Sequence, residues 1–210
     1  MKNTLRITEI FFSLQGESAR VGLPTTFVRL TGCPLRCHYC DTAYAFSGGS
    51  VTAVDEIYAE VATYPTRYVT VTGGEPMAQP AVIPFLTGLC DRDYLVSLET
   101  GGAIDLSEVD ARVMKVVDLK TPGSGEQHRN LYENLQYLNE SDQVKFVICD
   151  RADYQWACEQ IERLTLNSHC EILFSPSSEQ LPVRELADWI LEDGLPVRMQ
   201  VQLHKQIWGN

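Results

Sequence analysis

Short apolar runs rich in β-branched residues alternate with helix-patterned segments along the chain, and this constrains the fold more than any other feature. The runs are TTFVRL (25–30), RYVTVT (67–72), YLVSLE (94–99), VMKVVDL (113–119), QVKFVIC (143–149), EILF (171–174) and VRMQVQL (197–203). Their near-continuous hydrophobicity predicts strands buried on both faces, as in a parallel sheet. Between them, Thr52 can cap a helix that carries Val54, Ile57, Tyr58 and Val61 on one face. Asp153 can open another with Trp156, Ala157, Ile161 and Leu164, and segment 181–194 aligns Leu186, Trp189 and Ile190 before stopping at Gly194. Such βαβ repetition implies right-handed crossovers and an α/β fold. About six βα units in 210 residues fall short of a closed eight-fold barrel of roughly 250 residues. The expected architecture is an open, partial βα barrel, with residues 1–210 as one domain.

The residues that carry chemistry gather where the runs end. TGC follows the first run, TGGEP (72–76) the second, ETGG (99–102) the third and DLKTPGSG (118–125) the fourth. SPS (175–177) follows the sixth and LHK (203–205) the last. Carboxyl ends of strands are where α/β folds place their active sites, so these segments predict one shared cleft.

In CPLRCHYCDT (33–42), three of the seven cysteines, Cys33, Cys37 and Cys40, are spaced C-x3-C-x2-C. The other four are scattered, and Cys90, Cys149 and Cys170 read as small core residues. An odd cysteine count and a tight cluster suit a metal site better than a disulfide framework. Three readings compete. A structural zinc site lacks a second C-x2-C, and His38, next to Cys37, would point away from the same ion. A redox dithiol CHYC (37–40) leaves Cys33 unexplained. A 4Fe-4S cluster held by three thiolates leaves one iron open to a small molecule.

The third pattern is the signature of the radical S-adenosylmethionine (SAM) superfamily, which this chain resembles. There the open iron chelates the amino and carboxylate groups of SAM, and electron transfer cleaves the sulfonium to a 5′-deoxyadenosyl radical. TGGEP resembles the superfamily's GGEP element, in which Gly74 allows close backbone approach and Glu75 meets the ammonium. The same resemblance makes Tyr39 a neighbour of the adenine. It makes Glu99, Asp118, Leu119, Lys120 and Ser175 candidates for the ribose and base, against a plainer role as turn or helix caps.

More specifically, EIFFSLQGES (9–18), segment 22–42, TVTGGEP (70–76), LETGG (98–102), VDLKTPGSG (117–125) and VQLHKQIWGN (201–210) resemble the 7-carboxy-7-deazaguanine synthase family over most of the chain. That implies conversion of 6-carboxy-5,6,7,8-tetrahydropterin to 7-carboxy-7-deazaguanine with loss of ammonia, using SAM and Mg2+. Gln15 and Glu17, with backbone groups of Leu14 and Gly16, suit the guanine-like edge of a pterin. Arg29 shares a strand face with Phe27, and a guanidinium there needs a partner, for which a substrate carboxylate is a candidate. Thr72 and His204 are further substrate candidates, and the family's C-terminal carboxylate gives Asn210 a role. Thr42 matches the family position that helps bind Mg2+, a hard cation whose other ligands would be substrate and water. The alternatives are a glycyl-radical activating enzyme, which shares the cysteine spacing, and a non-catalytic zinc-binding module.

Lys plus Arg number 17 against 28 Asp plus Glu, a net charge of −11. An acidic chain lacks the basic face nucleic acid requires. No apolar stretch approaches eighteen residues and the opening has no secretory core, so a cytoplasmic enzyme without a membrane partner is expected. A flavodoxin or ferredoxin is the expected electron donor. Sheet edges left open by a short barrel predict a homodimer.

Overall fold

The computed structural model describes residues 3–178 and 180–209. Nine strands form a single sheet among the described residues: β1 Thr4–Leu14, β2 Pro24–Leu30, β3 Ser50–Ala53, β4 Tyr68–Gly73, β5 Leu95–Thr100, β6 Met114–Asp118, β7 Gln143–Ile148, β8 Glu171–Pro176 and β9 Arg198–Met199. Their spatial order is β3-β1-β2-β4-β5-β6-β7-β8-β9. From β2 through β4 to β9 every neighbouring pair is parallel, whereas β1 and β3 run antiparallel to their neighbours. The end strands do not meet, so the sheet is an open, partial α/β barrel.

Helices α1 Val54–Val61, α2 Val82–Cys90, α3 Arg151–Arg163 and α4 Val183–Asp193 follow β3, β4, β7 and β8. The crossovers after β5 and β6 are loops and 3-10 turns instead of α-helices, anchored by the buried side chains of Leu106 and Leu135. Strand residues alternate strictly. Val28, Leu30, Val69, Val71, Val96, Leu98, Val144, Phe146, Ile172 and Phe174 form one core with Ile57, Phe85, Leu89, Ala157, Ile161, Leu186 and Ile190 of the helices. Their neighbours in sequence point the other way, and there the sheet is mixed: Arg29, Thr70, Thr72, Ser97, Glu99, Asp118, Lys145 and Ser175 share it with Phe27, Val116 and Val147. The expectation of strands apolar on both faces is therefore corrected for the inner face, where polar and charged residues interrupt the apolar ones. One face packs on helices, and the other lines a cavity.

Several boundaries differ from expectation. β1, an eleven-residue strand, was not predicted as a strand. The predicted strand 197–203 is reduced to Arg198–Met199, because it pairs on one side only. At Gln200 the backbone N–H bonds back to the Phe174 carbonyl and the side chain accepts from Ser18 N at 2.8 Å. The chain then turns into α5, Leu203–Trp208. Thr52 lies in β3, not at a cap. Asp150, not Asp153, caps α3, accepting from Asp153 N at 2.9 Å. Asp153 faces inward and accepts from Thr121 Oγ1, Gly123 N and Cys149 N at 3.0, 2.8 and 3.1 Å, tying the loop after β6 to α3. Among the described residues no helix is long and apolar enough to cross a membrane.

Lys115 on β6 and Asp142 pair at 3.0 Å with side chains only 2% and 0% exposed. Asp142 also accepts from Lys115 N and Asn139 N at 2.7 and 2.9 Å. Removing one partner strands a buried charge. Asp142→Ala is expected to cost about 3–5 kcal/mol, read from urea unfolding, while the double change Lys115→Met, Asp142→Asn, which removes both charges and keeps an acceptor for the backbone N–H groups, should recover part of it.

Candidate active site

The cysteine loop spans the connection from β2 to β3 and is bound on two sides. Gly32 N donates to Ala45 O at 2.8 Å, and His38 N to Ser124 O at 3.0 Å in the loop after β6. Arg36 N donates to Glu126 Oε1 at 2.7 Å, and its guanidinium covers the Phe46 ring at 4.4 Å. Cys33, Cys37 and Cys40 are free, partly exposed and line the cavity. Burial pushes the Cys33 and Cys37 thiols above their ordinary pKa.

The glycine loop after β4 lies directly on this segment. Gly74 N donates to Leu30 O at 3.0 Å and Glu75 N to Gly32 O at 2.7 Å. A β-carbon on Gly74 would stand 2.3 Å from Gly32 O and 3.0 Å from Cys33 Cβ. Only glycine lets the two backbones approach so closely. Glu75 is fully buried. Its oxygens accept from Met77 N at 3.0 Å, Thr100 Oγ1 at 2.8 Å and Gly101 N at 2.7 Å. Burial raises its pKa in spite of those donors and of Lys120 nearby. The carboxylate predicted to meet an ammonium is thus already holding the ends of β4 and β5 together, with limited capacity left.

Beyond Glu75, Lys120 Nζ pairs with Asp118 Oδ2 at 2.9 Å and lies 5.9 Å from the centre of the Tyr39 ring. Burial disfavours the charge on Asp118, but Lys120 and Lys145 outweigh it and hold the carboxyl below its ordinary pKa. The Tyr39 hydroxyl and Ser175 Oγ are buried with no hydrogen-bond partner among the described residues, and both residues line the cavity. Leu119 does not. It packs in the helix-side core, and its N–H bonds to Lys145 O at 2.9 Å, because alternation along β6 turns it away from Asp118.

A second set of polar groups occupies the opposite part of the same cavity. Gln15 donates to Thr70 Oγ1 at 3.0 Å and Glu99 Oε1 at 3.2 Å, and accepts from Glu17 N at 3.2 Å. Its amide is therefore engaged by its own chain, orienting the Glu99 carboxylate and fixing the backbone at Glu17. Thr72 Oγ1 donates to Glu99 Oε2 at 3.0 Å, which places Glu99 with this group instead of with Asp118 and Lys120. Burial and the negative charge of Glu17 raise the Glu99 pKa. Glu17 pairs with Lys145 at 2.6 Å and accepts from Gln202 Nε2 at 2.8 Å. Arg29 pairs through Nε with Glu9 at 2.8 Å, in reach of the Phe11 and Tyr44 rings. Its η nitrogens have no hydrogen-bond partner among the described residues.

His204 is on α5, not at a strand end as predicted. Leu203 N donates to Gly16 O at 3.0 Å, and a β-carbon on Gly16 would stand 2.1 Å from His204 Nδ1. Burial lowers the His204 pKa. Lys205 pairs with Asp41 at 2.9 Å, and Thr42 Oγ1 donates to the other Asp41 oxygen at 2.9 Å. These groups, with Leu14, enclose a cavity of about 700 Å3, within the usual range for small-molecule sites. Asn210 lies outside the described residues. Sequence reasoning missed Glu9, Tyr44, Lys145 and Gln202 as cavity residues, whereas Lys205 lies in the LHK segment assigned to the cleft. Of those missed, Lys145 had a signal, a lysine inside an apolar run.

The radical SAM superfamily profile matches residues 27–165. A 7-carboxy-7-deazaguanine synthase from Chlorobaculum tepidum is 46% identical over 98% of this chain and 94% of its own length. One from Koribacter versatilis is 43% identical over 97% of both. The chain belongs to the 7-carboxy-7-deazaguanine synthase family of the radical SAM superfamily. The crystal structure of QueE from Escherichia coli superposes with a TM-score of 0.79 over 96% of this chain and 95% of that one at 23% identity, which shows the shared fold. Radical SAM proteins use a 4Fe-4S cluster and SAM, and the comparisons favour neither the glycyl-radical activator nor the zinc module.

Gly74→Ala is expected to push the cysteine loop off the glycine loop. Overpacking of this kind costs about 1–3 kcal/mol, and bound iron and sulfide after anaerobic reconstitution should fall well below stoichiometric. Full iron loading of this variant would contradict the proposed contact.

Proposed function

We propose that the protein converts 6-carboxy-5,6,7,8-tetrahydropterin to 7-carboxy-7-deazaguanine with loss of ammonia, with residues 1–210 acting as one radical SAM domain. The observation that carries this reading is that one cavity joins three cysteines at one end to Glu17, Glu99 and Arg29 at the other. Cys33, Cys37 and Cys40 would hold the cluster. SAM would lie along Gly74, Asp118 and Lys120, where the unpartnered hydroxyls of Tyr39 and Ser175 offer hydrogen bonds to it. When bound, the cluster and SAM supply one-electron hydrogen abstraction from the pterin and its return.

The chain's own groups then bind and orient the substrate. Glu17 accepts from the paired N–H donors of the pterin, beside the Leu14 and Gly16 backbone, while Gln15 and Thr72 fix Glu99 behind it. The η nitrogens of Arg29 meet the substrate carboxylate, as a guanidinium fork is shaped to do. His204 closes the cavity over Gly16, with Leu203 N–H fastened to the same residue, and α5 restricts the access of water. Thr42 is the proposed protein ligand to Mg2+, completed by the substrate carboxylate and water. A flavodoxin or ferredoxin is the proposed reductant. We also propose a homodimer, supported by the open β3 edge, where Val51 is 59% exposed. Light scattering that finds only monomer at micromolar concentration would oppose it.

Anaerobic reconstitution followed by reductant, SAM and the carboxypterin should yield 7-carboxy-7-deazaguanine, and alanine at any of the three cysteines should abolish it. Formation of 5′-deoxyadenosine with the pterin untouched would reject the substrate. Arg29→Ala should raise KM for the pterin by about 30–100-fold, the equivalent of losing one charged hydrogen-bonded pair, with SAM cleavage in the absence of substrate unchanged. Equal loss of both would remove the role given to Arg29.

A further inference from the structure

The middle of the cavity holds a lysine that neither the cluster nor SAM requires. Lys145 is the third residue of β7, directly opposite Asp118 in the parallel register. Its ammonium is 2.6 Å from Glu17 Oε2 and 3.4 Å from Asp118 Oδ1, with a side chain 12% exposed. It therefore bridges the carboxylate of the SAM-side wall and the carboxylate of the substrate-side loop. Burial disfavours its charge, yet Asp118, Glu17 and Glu99 hold its pKa well above the ordinary value.

We propose that Lys145 is a positioning residue for substrate recognition, holding Glu17 as an aligned carboxylate so that paired N–H donors of the ligand meet an acceptor. This rests on the functional reading above and deepens it. Each Glu17 oxygen has one protein donor, Lys145 Nζ on Oε2 and Gln202 Nε2 on Oε1 at 2.8 Å. An ionised carboxylate accepts about four bonds, so one position on each oxygen stays free for a ligand with two adjacent N–H groups.

The charges facing this point are Glu17 from the loop after β1, Arg29 from β2, Glu99 from β5, Asp118 and Lys120 from β6 and its end, and His204 from α5. Three carboxylates thus meet three permanent cations, but Arg29 is paired with Glu9 and Lys120 with Asp118. Lys145 alone stands against both Glu17 and Glu99. Without it, those two would be like charges in a confined site with no cation between them, and repulsion would turn the Glu17 carboxylate from its aligned position. The paired N–H groups of the ligand would then lose their acceptor.

The test is anaerobic calorimetric binding of 6-carboxytetrahydropterin to the reconstituted, SAM-loaded protein without reductant. Lys145→Gln is expected to weaken pterin binding about tenfold or more, and Lys145→Arg, which keeps the charge, should restore most of it. SAM binding should be unchanged in both variants. Unchanged pterin affinity in Lys145→Gln, failure of Lys145→Arg to recover binding, or an equal loss of SAM binding would overturn the inference. Should Lys145→Gln not fold, Glu17→Gln carries the test: weak pterin binding is expected, and wild-type affinity would overturn it. If the wild type itself neither binds nor converts the pterin, the functional reading falls, and this inference with it.

Discussion

A parallel sheet with helices on one side must line its other side with whatever the alternate residues supply, and here those residues include Arg29, Glu99, Asp118 and Lys145. Buried charges persist only in pairs or in contact with ligands. The inner face accordingly carries a connected set of ion pairs, Lys120 with Asp118 and Lys145 between Asp118 and Glu17. This set lies where the parallel register brings Asp118 beside Lys145, and Thr70 beside Ser97 one step before Thr72 and Glu99. The same alternation that packs Val28, Val71 and Phe146 on the helices directs Arg29, Thr72 and Lys145 into the cavity. Core and site are two faces of one periodicity.

Two close approaches convert this lined face into a site with a defined interior. The glycine loop after β4 is bonded to Leu30 and Gly32, so the start of the cysteine loop is fastened to the end of β4. At the other end α5 is fastened to Gly16 and to Asp41. At Gly74 two backbones meet where a side chain would prevent it, and at Gly16 the missing side chain leaves room for the His204 ring.

Much of this was legible in the amino-acid order. Six of the seven apolar runs are strands, α4 ends at Gly194 in a left-handed conformation, and Cys90, Cys149 and Cys170 are buried. The cysteine spacing and the glycine loop identified the superfamily before any coordinates. What failed did so for local reasons. β1 mixes Arg6 and Glu9 into its run and is half exposed, so its period was masked. The segment 197–203 alternates like a strand but has a neighbour on one side only, and its glutamines bond elsewhere. Glu99 and Leu119 were assigned by motif proximity, and the register of β5 and β6 sends one to the substrate-side group and the other into the core.

Composition, the order of runs and the C-x3-C-x2-C spacing by themselves determined an α/β chain with its chemistry at strand ends and a three-thiolate loop, because these are properties of local sequence. Which charges meet was decided only in three dimensions. Glu17 and Lys145 are separated by more than half the chain, as are Glu17 and Gln202, and no local pattern encodes a contact that exists only because parallel strands set their ends side by side. The pairing of buried charge is a property of the assembled sheet, and it is there that the substrate-side group takes its shape.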